Sequence, residues 1–104
     1  MNVLSWLTGR FSNRGKALSF YKRGMAKSNI HEHQGAIEDY TTAIGMPDVP
    51  PDVQAMALYN RALVYAAAGD DSKATADLNT VLGMTEAPPN IKSEARRKLV
   101  RMQR

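Results

Sequence analysis

Small and apolar side chains recur along this chain at three- and four-residue spacing, the period of a helix face turned to a core. Ala17, Phe20 and Gly24 mark a first such face, and Ala36, Ile37, Tyr40, Ala43 and Ile44 a second. Leu58, Ala62 and Tyr65 mark a third, and Ala74, Leu78, Val81 and Leu82 a fourth. Short polar breaks, NIHEH and AAGDD, separate the first from the second and the third from the fourth. In the latter, Gly69 suits a helix C-terminus and Asp70 or Asp71 the cap of the next helix. Longer breaks, GMPDVPPD and GMTEAPPN, place proline where its fixed φ and missing donor start a helix cleanly. The pattern predicts helices over about 15–30, 33–45, 51–68, 71–83 and 89–102. The small residues Gly24, Ala36, Ala43, Ala62 and Ala74 would let antiparallel backbones approach closely, with Tyr40, Tyr65 and Leu78 filling the space between layers.

The pattern also repeats. Ala36 in GAIEDYTTAIGM returns 38 residues later as Ala74 in KATADLNTVLGM, and ALSFYKRG returns as AMALYNRA, carrying Tyr21 to Tyr59 and Arg23 to Arg61. Gly45, Met46, Pro50 and Pro51 return as Gly83, Met84, Pro88 and Pro89, and Ala57 as Ala95 in a third, incomplete copy. A period between about 20 and 50 residues marks units that stack because none buries its apolar face alone.

The two copies resemble tetratricopeptide repeats. The family's run of bulky residue, small residue, aromatic, alanine and second aromatic is matched by Leu58, Ala62, Tyr65, Ala74 and Leu78. In the first copy it is matched by Phe20, Gly24, Ala36 and Tyr40, with Ala43 following. The resemblance implies an all-α, tetratricopeptide-like solenoid: a 1–14 apolar segment, repeats at about 15–50 and 51–87, and a capping helix at about 88–104. Three features depart from the family. The period is longer than the usual ~34 residues, the excess lying in the proline linkers. Lys27 replaces an aromatic, with its ammonium expected to reach out to water, and His31 replaces a turn glycine.

The resemblance further implies a concave groove lined by the first helix of each repeat. Helical spacing puts Leu18, Tyr21, Lys22, Met25 and Asn29 on that face, then Met56, Tyr59, Asn60, Leu63 and Ala67, and finally Arg97, Lys98 and Arg101 from the cap. Such a strip could hold a peptide or a partner protein, with hydrogen bonds from Asn60 and Lys22 fixing register. Leu-Tyr-Asn-Arg-Ala, residues 58–62, is similar to the second repeat of modules that clamp the acidic tails of chaperones. Tyr21 and Met25, however, stand where that clamp needs a lysine and an asparagine.

Net charge is +4, and its placement matters more than its sum. Residues 1–31 carry six bases and no acid, the middle is acidic, and from Lys92 onward six bases face only Glu94. This allows an alternative class of function, binding to nucleic acid or another anionic surface through the basic ends, for which stacking aromatics are sparse. A further alternative is homo-oligomerisation through exposed solenoid ends.

Chemistry of the catalytic kind is not expected. There is no cysteine and no glycine-rich phosphate loop, and His31 with His33 lacks further metal ligands nearby. The paired acids Glu38 with Asp39 and Asp70 with Asp71 read as helix starts or outer faces. No cofactor, metal or enzymatic activity is therefore expected, and the cytoplasm is the expected compartment. The apolar stripe of Val3, Leu4, Leu7 and Phe11, with Trp6 beside it, is expected to cap the first repeat; insertion into a groove or weak contact with a membrane surface are the other options.

Overall fold

The computed structural model describes the backbone of residues 3–104 and the side chains of residues 13–104. Among them it contains five helices, α1 (Val3–Asn29), α2 (His33–Gly45), α3 (Pro51–Ala67), α4 (Asp71–Gly83) and α5 (Pro89–Met102). Each packs on the next in chain order, and α1 and α5 both also touch α3. The first helix does not begin near residue 15, as the sequence suggested, but runs unbroken from Val3. Ser12, Asn13 and Gly15 look like a break, yet none is proline, and an isolated glycine costs an exposed helix only about 1 kcal/mol. The expected cap formed by the Trp6 stripe lies outside the described side chains.

Local chemistry explains the other boundaries. Pro51 and Pro89 occupy first-turn positions of α3 and α5. Asp70 caps α4, its carboxylate accepting from the Lys73 backbone N–H at 3.1 Å. Just before it, Gly69 reverses the chain at φ 88°, and 38 positions earlier His31 does the same at φ 61°. The position that looked like a glycine site does adopt the left-handed backbone, with a side chain strained into it.

Two apolar clusters hold the helices. Ala36, Tyr40, Ala43, Ala57 and Val64 join α2 to α3, with Phe20 and Tyr21 of α1 packed against them. Leu58, Ala62, Ala74, Leu78, Val81 and Ala95 join α3, α4 and α5. The close approach at Gly24 is to Tyr40 rather than to the alanines. A Cβ there would sit 2.7 Å from the ring, so the missing methyl is the space the tyrosine occupies. Tyr40 and Leu78 are buried fillers as expected, and Tyr65 is half-buried.

Asp39 and Asp77 correct the reading of the chain's acids. Asp39 was expected on a solvated start or outer face but is 5% exposed, and Asp77, its counterpart in the second copy, is 6% exposed. A carboxylate that deep needs a cation. Arg61 supplies one to Asp77 in a two-pronged pair, Nε to Oδ2 at 2.8 Å and Nη2 to Oδ1 at 2.7 Å, and its Nη1 donates to Thr41 Oγ1 at 3.0 Å. In the first hairpin Asp39 draws on two cations. Arg23 lies 3.7 Å from Oδ1 and Lys27 2.9 Å from Oδ2, the latter without hydrogen-bond alignment. Lys27 does not end free in water: its stem crosses Gly35, where a Cβ would lie 2.8 Å from Lys27 Cδ, and its ammonium ends on Asp39 while the side chain stays 32% exposed. In the second hairpin Tyr65 and Lys73 hold the positions of Lys27 and Gly35, and the Lys73 ammonium lies 5.6 Å from the Tyr65 ring centre.

Candidate functional site

The helices that begin each sequence copy, α1 and α3, contact one another, and α5 contacts α3 in turn. The residues singled out as a strip are distributed over these three helices. On α1, Lys22, Met25 and Asn29 are exposed, and Leu18 and Tyr21 are half-buried. On α3, Met56, Tyr59, Asn60 and Leu63 are all half-buried, as is Lys98 on α5.

Tyr21, Met56 and Asn60 form a connected unit. The Asn60 amide donates to the Tyr21 hydroxyl at 3.1 Å and to the Met56 carbonyl at 2.8 Å, bridging α1 and α3. Both amide hydrogens are thereby used inside the molecule, so Asn60 is not a free donor. What it can offer an incoming chain is its Oδ1 acceptor, beside the hydroxyl hydrogen of Tyr21. Behind this pair the Tyr21 ring lies 5.9 Å from that of Tyr40, tilted by 44°. Burial holds the Tyr21 hydroxyl above its ordinary pKa, with the Asn60 bond opposing. Tyr40 is pushed up to about 12 by burial and by the nearby Tyr21.

Tyr59 marks the second half of the strip, packed against the α3–α4–α5 cluster. Burial and the Glu94 carboxylate raise its pKa, while Arg101 and Arg97 on α5 lower it, which places its hydroxyl among charged groups of the last helix. At the other end, Arg14 on α1 grips Asp52 in the first turn of α3 through Nη1 at 3.3 Å and Nη2 at 3.0 Å. The Arg14 hydrogen bond holds the Asp52 carboxyl below the usual range.

The strip thus has a satisfied polar bridge at its centre, exposed Lys22 and Met25 on one side and Tyr59 on the other. The strip is amphipathic, with tyrosines and methionines beside polar and charged side chains.

No family model, curated protein or solved structure matches this chain significantly. Among the described residues no three His, Cys, Asp or Glu side chains gather as metal ligands; the His31 and His33 rings are 6.3 Å apart in the first turn. No described helix is long and apolar enough to cross a membrane.

The two buried aspartates, Asp77 with Arg61 and Asp39 with its two cations, went unrecognised as sites in the sequence. The available signal was the 38-residue offset itself, which carries Arg23 to Arg61 and Asp39 to Asp77 and so preserves their separation. Asp39, Asp77 and Arg61 pair across helices and contact none of the strip residues through these bonds.

Proposed function

We propose that this chain is a tetratricopeptide-like interaction module that holds a segment of a partner protein along the strip of α1, α3 and α5. The Tyr21–Asn60 bridge is the observation that carries this reading. It crosses the seam between two helices and leaves a hydroxyl donor and an amide acceptor side by side, which is what an extended backbone needs in order to be held in register. Tyr59, Met25 and Met56 supply adaptable apolar contact around it. The repeat assignment draws support from the matched ion-pair positions in the two hairpins and from the shared left-handed turn at His31 and Gly69.

The test is selection of peptides from a display library against the full chain, followed by calorimetric titration of the winners. Lys22→Ala and Met25→Ala change exposed side chains and should leave the melt in place while weakening binding several-fold. Asn60→Ala should weaken binding and also lower stability by about 1 kcal/mol through its lost bridge. Selected peptides whose affinity all three substitutions leave unchanged would place the binding surface elsewhere.

A further inference from the structure

The last helix presents a seat that has no counterpart helix on it. On α3 two faces are used: Ala57 and Val64 meet α2, while Leu58 and Ala62 are buried in the cluster with α4's Ala74, Leu78 and Val81. In the same register α5 buries Ala95 and packs the half-buried Met102 against the preceding hairpin, as α3 buries Ala57 and Val64. Its other face carries Arg96 and Val100 where α3 has Leu58 and Ala62. Val100 is 52% exposed. With Arg96, Arg97, Arg101 and Arg104 it lines an open depression of about 420 Å³. Arg97 is paired with Glu94 of its own helix, whereas Arg96, Arg101 and Arg104 have no acidic partner among the described residues.

We propose that the Arg96–Val100–Arg104 face of α5 docks an acidic amphipathic helix of a partner protein, seated on α5 as α4 is seated on α3. Shape and charge both enter the choice of occupant. The backbone of this face is helical and in the register that already receives a helix one unit earlier, and a valine at the centre of a charged rim calls for a small apolar stripe opposite it. Unpaired guanidinium groups around that valine call for carboxylates flanking the stripe, each able to accept two parallel hydrogen bonds. No aromatic lines the depression on which a nucleic-acid base could stack.

The probe is a fluorescein-labelled peptide of about 18 residues, long enough for an isolated helix to be populated. It carries alanine, leucine and valine at the spacing of Ala74, Leu78 and Val81, with glutamates flanking them. Anisotropy titration of the full chain should give a Kd of about 100 µM or tighter at low salt. Val100→Glu and, separately, Arg104→Glu should weaken it at least about tenfold, with far-UV circular dichroism and the melt unchanged because both side chains are exposed. Three results would overturn the proposal: no binding at about 1 mM chain, equal binding of a peptide of the same composition with the stripe scrambled, or tighter binding of a single-stranded DNA oligonucleotide that the same variants abolish. The last would make the face a polyanion site.

Discussion

Asp39 and Asp77 occupy equivalent places, are almost equally buried, and differ in what holds them, so replacing each by alanine separates geometry from burial. Removing Asp77 strands Arg61, whose side chain is only 18% exposed and which keeps Thr41 and the face of Tyr65 but loses both strong bonds. Breaking a buried pair from one side costs about 3 to 5 kcal/mol; the partial exposure of Arg61 and its remaining partner reduce this to about 2 to 4 kcal/mol. Removing Asp39 frees Arg23, 59% exposed, and Lys27, 32% exposed, both already partly open to solvent. It also removes a buried oxygen that lacks an aligned donor. That loss should be about 1 kcal/mol or less, in the range of solvent-exposed pairs. Urea unfolding followed by circular dichroism measures both, and the thermal midpoint should fall by roughly 10 to 20 °C for Asp77→Ala against about 5 °C for Asp39→Ala. A double-mutant cycle isolates the pair from other effects of truncation: coupling of about 2 kcal/mol or more between Arg61 and Asp77, and below about 0.5 kcal/mol between Arg23 and Asp39. Equal losses for the two aspartates, within about 0.5 kcal/mol, would refute the claim that pairing geometry sets the cost.

Three further outcomes are expected. Gly24→Ala drives a methyl into the Tyr40 ring, and its overpacking cost of about 1 to 3 kcal/mol should exceed the ~1 kcal/mol gained in helix propensity; Gly15→Ala, with open space around it, should show the gain alone in urea unfolding. His31→Gly should stabilise by about 0.5 to 1 kcal/mol, read as a rise in melting temperature, because relief of the left-handed backbone outweighs the extra freedom given to the unfolded chain. Burial raises the Tyr40 pKa to about 12, so folding favours its neutral form; that contribution is whole below about pH 10 and is lost as pH climbs toward 12, and Tyr21, also raised, adds in the same direction. Stability should fall by up to about 1.4 kcal/mol per pH unit through Tyr40 in that window, and absorbance at the phenolate band should show Tyr40 ionising only with unfolding.

Much of the fold was legible because helix phase and helix punctuation are local. Pro51, Pro89 and Asp70 act within one turn of their own positions, and α2, α4 and α5 begin and end where the sequence put them. The start of α1 was misjudged because Ser12, Asn13 and Gly15 weaken a helix without ending it. The buried aspartates were misjudged for a different reason. A carboxylate on a helix reads as solvated unless its cation is known, and the cations for Asp39 and Asp77 come from another helix. The same holds in the strip. Spacing put Tyr21 and Asn60 on one face of their own helices, but their hydrogen bond depends on how α1 and α3 are staggered, which neither helix encodes alone.

Arg61 reaches α2 through Thr41 and α4 through Asp77 from its place on α3. An array of stacked units is free to fray one unit at a time when neighbours share only apolar contact. Here a single guanidinium is common property of both hairpins, so peeling the first away strips Arg61 of one bond and loosens its hold on the second. The two hairpins should therefore open as one cooperative unit, with amides of α2 and α4 exchanging at similar free energies, and a partner that grips either hairpin would steady the other as well.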